Sequence, residues 1–282
     1  MSKILIINPN TSQAFTTLIE RVAKDVLKGT GIDIEATSPT QGPMSIESMM
    51  DEVVSAYWTI DHVIPRISQY DGFIVACYSA HPSIPALREY TEKPVIGIME
   101  GSIYHSLPLG EKFSIVTTAP RWKPLLEEGV RNMGLKERCA SERTSGLAVM
   151  ELEQLDPDIV IDRLCQEARR AVDEDGAEVI VLGCAGMAGL EQAVYEATRV
   201  PVVDGVRASV EYMAGLVRSK LKVSKRLLYS KLPDRPHEIK VPDMGVAMAY
   251  GAKQAISDRI MKPFISIMDY KNINTTVMYD AK

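Results

Sequence analysis

Two cysteines occupy equivalent positions in the two halves of this sequence. Cys77 directly follows the apolar run Phe73–Ala76, and a second apolar run precedes Cys184. After each cysteine a proline opens another apolar run at the same spacing of seventeen residues, at Pro94 and at Pro201. Short runs rich in β-branched residues are typical of strands inside a parallel sheet. Each cysteine is therefore predicted to lie at the carboxyl end of a buried strand, where open α/β sheets bind their ligands.

Two thiols on opposite sides of a cleft suit a reaction that inverts one carbon centre. A free thiol has a pKa of about 8.5, and a helix N-terminus lowers it. Because a helix is predicted soon after each cysteine, we expect appreciable thiolate at neutral pH. One thiolate would take a proton from one face of the carbon, and the opposite thiol would return a proton to the other face.

A structural role is the alternative for any single cysteine, because cysteine is among the most frequently buried residue types. Core packing does not require the same residue at the ends of two equivalent strands, so the matched placement favours a functional role for Cys77 and Cys184. Cys139 and Cys165 have no such placement. Both are predicted to be structural.

The carbanion formed between the two proton transfers needs hydrogen-bond donors on its carbonyl oxygen. Polar side chains and backbone N–H groups at the predicted strand ends are the candidates. His81 is interpreted either as a donor to the substrate or as a cap of the turn, and Glu100 and Asp204 either as substrate contacts or as helix caps. The candidate substrate-binding residues are Asn10, Tyr78, Ser79, His81, Thr117, Thr118, Ala185, Gly186 and Met187.

Apolar periodicity divides the chain into alternating strands and helices. Besides the runs that precede the two cysteines, the predicted strands are Ile4–Ile7, Ile32–Ala36, Pro94–Ile98, Lys112–Val116 and Pro201–Val203. The predicted helices are Phe15–Leu27, Met49–Tyr70 with an interruption near Pro65, a helix from near Pro82, Trp122–Met133, Asp158–Glu174 and Val206–Leu221. This repeat predicts an α/β fold of two pseudo-symmetric lobes. Each lobe is a mostly parallel sheet flanked by helices, with the active site in the cleft between them.

The repeat also sets the predicted domain boundaries. Residues 1–100 together with 206–222 form the first lobe, because the last regular helix is expected to return to it. Residues 101–205 form the second lobe. Residues 223–282 have no counterpart in the repeat and are interpreted as a C-terminal extension of unknown role.

Composition narrows the classes of partner. The chain has 282 residues, of which 46% are hydrophobic and 24% charged, with a net charge of −5 and no dense basic run. We therefore expect a small-molecule substrate, no nucleic-acid partner and no membrane partner. Four widely spaced cysteines without a CxxC pair indicate free thiols and a cytoplasmic location. No phosphate loop, dinucleotide motif or metal-ligand spacing is present, so no cofactor and no metal are expected.

At these motifs the chain resembles the aspartate/glutamate/hydantoin racemase superfamily, and within it the hydantoin and allantoin racemase branch. The resemblance covers residue 1 to about residue 222. It implies two pseudo-symmetric α/β lobes, racemisation without a cofactor, Cys77 and Cys184 as the acid/base pair, and a homo-oligomer. The matching segments are Ile6-Ile-Asn-Pro-Asn-Thr-Ser12, Ala76-Cys77, Pro94-Val-Ile-Gly-Ile98, Thr117-Thr118, Gly183-Cys-Ala-Gly-Met187 and Pro201-Val-Val-Asp-Gly205.

The sequence departs from that branch directly after the first cysteine. Bacterial members usually have an acidic residue and then Pro-Gly there, whereas this chain has Tyr78-Ser-Ala-His-Pro-Ser83. The expected substrate is a small cyclic ureide such as a 5-substituted hydantoin or allantoin. Three alternatives stay open: a racemase of aspartate or glutamate, a decarboxylase or cis–trans isomerase of the same fold, and a two-lobed sensor whose cysteines are merely buried.

Overall fold

The computed structural model describes residues 2–230, and these residues contain two sheets of four parallel strands each. The first sheet, in the first lobe, consists of β1 (Ser2–Ile7), β2 (Ile32–Thr37), β3 (Gly72–Val75) and β4 (Val95–Gly97). The second sheet, in the second lobe, consists of β5 (Phe113–Thr117), β6 (Cys139–Thr144), β7 (Val179–Leu182) and β8 (Val202–Asp204).

The two sheets have the same strand order. It is β2-β1-β3-β4 in the first lobe and β6-β5-β7-β8 in the second. The match extends to single hydrogen bonds at the carboxyl edge. Ala76 donates its N–H to the Ile7 carbonyl over 2.8 Å, and Gly183 donates to the Val116 carbonyl over 2.8 Å. The predicted α/β fold with two pseudo-symmetric lobes is confirmed.

Nine α-helices cover the sheets in the part of the chain that the structure describes. They are α1 (Gln13–Val26), α2 (Met49–Val63), α3 (Ser83–Tyr90), α4 (Ile98–Ser106), α5 (Lys123–Asn132), α6 (Glu151–Gln154), α7 (Pro157–Asp173), α8 (Glu191–Thr198) and α9 (Gly205–Arg218). The predicted interruption near Pro65 is confirmed, because α2 ends at Val63 and a 3-10 turn follows. Proline has no N–H to continue the helical hydrogen bonds.

The strands distribute alternate side chains to different layers, as a period of two requires. Ile4 and Ile6 of β1 face a core that also receives Phe113 and Ile115 of β5, so the inner faces of both sheets share one apolar layer. Leu5 and Ile7 point to the opposite face of the first sheet, into a separate core. The outer face of the second sheet has its own core with α7.

Strand β6 (Cys139–Thr144) was not predicted from the sequence. It lies at the edge of the second sheet beside β5, and all six of its residues are only half-buried. An edge strand with this exposure carries polar residues and gives no apolar run to detect. Its counterpart in the first lobe is β2, so the repeat itself was the signal that could have located it.

Helices α4 and α9 connect the lobes. α4 contacts β4 of the first sheet and β7 and β8 of the second, and α9 packs along α4 and α1. The lobe boundaries proposed from the sequence stay predictions. Most of the predicted extension, from residue 231 onward, lies outside the described residues. Within residues 2–230, no helix combines the length and the apolar composition needed to cross a membrane.

The contact between α4 and α9 generates a stability prediction. A Cβ atom added at Gly101 would lie 2.9 Å from the Cα atom of Ser209, closer than packed atoms approach. We expect Gly101→Ala to lower the free energy of unfolding by about 1–3 kcal/mol, because overpacking costs that much in a closely packed contact. Urea unfolding followed by circular dichroism measures it.

Gly215→Ala is the matched control on α9, where an added Cβ meets no atom within 4 Å. It should raise the free energy of unfolding by roughly 0.5–1 kcal/mol, since alanine is the better helix former. Equal effects of the two substitutions would contradict a close approach of the helices at Gly101.

Candidate active site

Both cysteines of the repeat line one cavity at the carboxyl ends of the central strands of the two sheets. The cavity contains about 530 Å³ of empty space when its open mouth is included. The residues that line it from the first lobe are Asn8, Pro9, Asn10, Phe15, Ile46, Ala76, Cys77 and Tyr78. Those that line it from the second lobe are Thr117, Thr118, Trp122, Val149, Gly183, Cys184, Ala185 and Gly186.

Most residues predicted from the sequence meet at this cavity, and three do not. Those in the lining are Cys77, Cys184, Asn10, Tyr78, Thr117, Thr118, Ala185 and Gly186. Met187 is fully buried in the core of the second lobe, because the turn after Cys184 directs it away from the cleft. Ser79 and His81 lie on the loop that follows Cys77, and both side chains are buried inside the first lobe.

His81 is held inside the first lobe by two serines. Its Nε2 lies 2.8 Å from Ser55 Oγ of α2, and its Nδ1 lies 2.8 Å from Ser83 Oγ at the start of α3. Burial lowers the pKa of His81 to about 3, so the ring is neutral at physiological pH. Of the two interpretations given above, this geometry matches the cap of the turn.

Asn10 presents an amide donor to the cleft. Its Oδ1 accepts hydrogen bonds from Asn8 Nδ2 over 2.9 Å and from the Ser12 N–H over 2.9 Å. The oxygen therefore faces the loop, and the Nδ2 group faces the cavity that Asn10 lines. Asn8 is itself fixed by further bonds to the Ser12 carbonyl and to Thr16. This network holds the donor in one orientation before any substrate binds.

The hydroxyl groups of Thr117, Thr118 and Tyr78 in the lining differ in their hydrogen-bond partners. Thr117 donates its hydroxyl to the Gly183 carbonyl over 2.7 Å, so this hydroxyl braces the two central strands of the second lobe. Within the described residues, the Thr118 hydroxyl has no hydrogen-bond partner. The Tyr78 hydroxyl accepts from Ser102 of α4 over 3.4 Å, which leaves its ring as the part that lines the cavity.

The sequence-based expectation of lowered thiol pKa values is wrong. Helix α3 begins only at Ser83, and Cys184 precedes a single 3-10 turn. Burial in the cleft raises the pKa of Cys77 to about 12 and that of Cys184 to about 11. Hydrogen bonds from Ser79 to Cys77 and from the Gly186 N–H to Cys184 offset this only in part. Desolvation exceeds the stabilisation that a helix N-terminus would provide.

Eight residues of the lining were not predicted as part of the site, and four of them have large apolar side chains. Phe15 belongs to the apolar stripe of α1, and Trp122, Ile46 and Val149 lie in connecting segments. The link across the cleft is made by Glu47, which accepts a hydrogen bond from the Val149 N–H over 3.0 Å. No periodic pattern marks such loop residues, so sequence gave no signal for them beyond their apolar character.

Glu100 and Asp204 are helix caps. Asp204 accepts hydrogen bonds from the N–H groups of Val206 and Arg207 at the start of α9 over 2.7 and 3.0 Å. Glu100 accepts from the Gly97 N–H over 3.0 Å and pairs with Arg88 at 2.8 Å. Of the two interpretations given for these residues, the structure supports capping.

Among residues 2–230, no charged side chain lines the cavity while the thiols are protonated. Residues 2–230 also contain no group of three or more histidine, cysteine, aspartate or glutamate side chains placed to hold a metal ion. The chemistry available at the walls is therefore two thiols, neutral hydrogen-bond donors and apolar surface.

Comparison with known proteins agrees with this geometry. The family model described as Asp/Glu/Hydantoin racemase matches residues 4–213. A hydantoin racemase from Pseudomonas sp. (strain NS671) is 42% identical over 234 residues, covering 83% of this chain and 92% of that protein. A hydantoin racemase from Paenarthrobacter aurescens is 37% identical over 237 residues, covering 83% and 99%. The crystal structure of allantoin racemase from Pseudomonas fluorescens superimposes with a TM-score of 0.80 at 37% identity, covering 84% and 99%.

The raised pKa values predict how the free thiols react. Alkylation of Cys77 and Cys184 by iodoacetamide should rise about tenfold per pH unit from pH 7 to pH 10, because the thiolate fraction does so below the pKa. Cys184 should react several-fold faster than Cys77 at each pH, having the lower pKa. Mass spectrometry of the labelled peptides separates the two rates. A plateau above pH 7.5 would show that the thiols are already ionised.

Proposed function

The chain belongs to the Asp/Glu/hydantoin racemase family and is a racemase, and we propose that it inverts the carbon beside a carbonyl group of a small cyclic ureide. Hydantoins with one substituent on C5, and allantoin, are the substrates of this type. Cys77 and Cys184 exchange protons with the two faces of that carbon, and no cofactor takes part.

One observation supports this proposal most directly. Cys77 and Cys184 follow equivalent hydrogen bonds at the ends of β3 and β7, and both line the same cavity. Burial of Cys77 and Cys184 in one cleft also couples them electrostatically, since a charge on Cys184 opposes ionisation of Cys77. Such coupling disfavours the state with two thiolates, so the ionised cleft carries one thiolate and one thiol, as two-base inversion requires.

The reaction begins when the thiolate of one cysteine removes the proton from C5 of the ring. The electron pair moves onto the neighbouring carbonyl oxygen, which accepts hydrogen bonds from the Asn10 amide and the Thr118 hydroxyl, both residues of the cavity lining. The thiol of the other cysteine then delivers its proton to the opposite face of C5. The ring leaves with inverted configuration, and the two cysteines have exchanged protonation states.

The uncharged walls favour a neutral ring over a free amino acid. A bound amino acid would bring an α-carboxylate and an ammonium group into a cleft whose lining has no charge to pair with either. A hydantoin ring is neutral and offers carbonyl acceptors to Asn10 and Thr118. The apolar surface of Phe15, Ile46 and Trp122 suits a ring and its C5 substituent.

The substrate class is tested with single enantiomers in D₂O. Allantoin, a 5-alkylhydantoin and a 5-benzylhydantoin should lose optical rotation and gain deuterium at the asymmetric carbon, whereas aspartate and glutamate should do neither. Proton NMR and polarimetry on the same samples measure both. Turnover of an amino acid without turnover of any ureide would overturn the proposed substrate class.

The two cysteines are tested separately. Cys77→Ser and Cys184→Ser should each lower racemisation by at least about 10³-fold, because a serine hydroxyl is a far weaker base than a thiolate. The remaining thiol still serves its own face. Each variant should therefore exchange the proton of one enantiomer with retained configuration, and the two variants should prefer opposite enantiomers. Full racemase activity in either variant would contradict the two-base mechanism.

Asn10→Asp tests the oxyanion donor. The aspartate keeps an oxygen for the bonds from Asn8 and Ser12, but it replaces the donor that faces the cleft with a negative acceptor. We expect kcat to fall roughly 10²–10³-fold, as removal of one such donor does. The thermal midpoint should stay close to that of the parent protein, which separates this effect from unfolding. Unchanged kcat would place the carbonyl oxygen elsewhere.

A further inference from the structure

Cys77 is the end of a hydrogen-bonded chain of three side chains that leads away from the cleft. Ser79 Oγ lies 3.5 Å from Cys77 Sγ and within hydrogen-bond distance of Glu52 Oε1, so its one hydroxyl hydrogen can be donated to either group. Glu52 belongs to α2, and Ser79 lies in the loop between β3 and α3. The chain thus joins the thiol to a carboxyl group on a different element of the first lobe.

The carboxyl at the end of this chain is held in an unusual environment. Only 5% of Glu52 and 4% of Ser79 is exposed. Within the described residues, Ser79 is the one side chain that hydrogen-bonds to the Glu52 carboxylate. Burial raises the pKa of Glu52, so its protonated form lies closer to neutral pH than that of an exposed glutamate. A buried carboxyl without a cationic partner is suited to hold a proton.

Within the part of the protein that the structure describes, Cys184 has no equivalent series of hydrogen-bonded side chains. The residue two positions after Cys184 is Gly186, which has no side chain to relay a proton. The carboxylate that influences Cys184 is Glu47, and it is engaged with the Val149 N–H and the Ser45 hydroxyl. The two thiols are therefore equivalent in the fold and unequal in their hydrogen-bonded surroundings.

We propose that Ser79 and Glu52 form a proton relay that serves Cys77 alone. This inference rests on the proposed function, in which Cys77 gains or loses one proton in each turnover. When Cys77 has taken a proton from the substrate, the thiol donates it to Ser79 Oγ while the Ser79 hydroxyl proton passes to the Glu52 carboxylate. The reverse movement returns a proton to the sulfur. Each passage breaks and forms two bonds to hydrogen and leaves the net charge of the chain unchanged.

The titratable groups around this chain come from four elements. Cys184 faces Cys77 across the cleft, and Glu47 acts on Cys184 from the loop before α2. His81 lies on the same loop as Ser79 and stays neutral, because burial lowers its pKa to about 3. Between pH 7 and pH 10, we therefore expect the small thiolate fraction of Cys77 to depend mainly on Glu52, Ser79 and Cys184.

Glu52→Gln and Ser79→Ala should shift the pH profile of Cys77 alkylation in opposite directions. The glutamine removes a negative charge that opposes the thiolate, so the rising curve of alkylation rate against pH moves to lower pH. The alanine removes a donor that stabilises the thiolate, so it moves to higher pH. We expect shifts of at least about half a pH unit for Cys77 and of less than about 0.2 unit for Cys184 in the same samples. For comparison, a typical contact with a charge shifts a pKa by roughly one unit.

Deuterium exchange tests the passage of the proton itself. In the Cys184→Ser background, where only Cys77 remains in the cleft, Glu52→Gln should slow exchange of the preferred enantiomer of 5-benzylhydantoin at least tenfold. Without the Glu52 carboxylate, the abstracted proton stays on the sulfur of Cys77 and returns to the same carbon, so no deuterium is incorporated. In the Cys77→Ser background, Glu52→Gln should change exchange by less than twofold. KM should stay within twofold in both, because the relay residues are positioning residues outside the cavity lining.

Thr59→Val is the matched control for a change in buried polarity on α2. Thr59 is fully buried on the same helix, and its hydroxyl has no hydrogen-bond partner among the described residues. It should leave the alkylation profile of Cys77 and the exchange rates within twofold of the parent values. If Glu52→Gln does not fold, the Ser79→Ala shift alone decides between the outcomes.

The alkylation profile needs no substrate, so it separates two failures. Absence of turnover on every ureide would overturn the proposed function. The alkylation profile of Cys77 would still test whether Ser79 and Glu52 act on its thiol. Normal turnover together with an unmoved Cys77 profile in both variants, or equal shifts at Cys77 and Cys184, would overturn the relay.

Discussion

The structure depends on one repeated hydrogen bond, the last rung of each ladder between the central strands. Ala76 donates to Ile7 in the first sheet, and Gly183 donates to Val116 in the second, both over 2.8 Å. Beyond this rung the backbone is free to turn, and the next residue of each strand is a cysteine. Because parallel strands end at the same edge of their sheet, the rung fixes both how far each sulfur projects and which side of the cleft it occupies.

That geometry places two ionisable groups where ionisation is unfavourable. Both sulfurs lie in a cleft where none of the described lining residues is charged, and burial raises both pKa values. The compensation comes from oriented neutral donors. Ser79 stabilises the Cys77 thiolate and the Gly186 N–H stabilises that of Cys184. In the proposed mechanism, the same desolvation makes a thiolate a stronger base once it has formed, since less solvent must be displaced before it can accept the substrate proton.

Sequence predicted the parts of this arrangement that repeat or that carry an apolar period. The strand that precedes Cys77, its copy before Cys184 and the polar strand end at Thr117 were all found that way. Strand β6 was not predicted, because this edge strand is half-buried and polar. Trp122 was not predicted as a site residue, because loop residues reach the cleft through tertiary packing alone. The ionisation of the thiols was misjudged because helix starts are read from local pattern, whereas desolvation depends on everything that surrounds the sulfur. Glu52 could not be connected to Cys77, since their link exists only when α2 packs beside the loop after β3.

An asymmetric pair of thiols is compatible with a reaction whose two directions are equivalent. Enantiomers in water have the same free energy, so the equilibrium constant is one and kcat/KM must be equal in both directions, whatever surrounds each cysteine. In the proposed relay, Glu52 acts on Cys77 alone. It can therefore change kcat and KM by different amounts for the two enantiomers, but kcat/KM must remain equal for both. Selection on net racemisation constrains that ratio and leaves the individual constants free. This freedom lets a duplicated scaffold keep matched sulfur positions while the side chains behind Cys77 and Cys184 diverge.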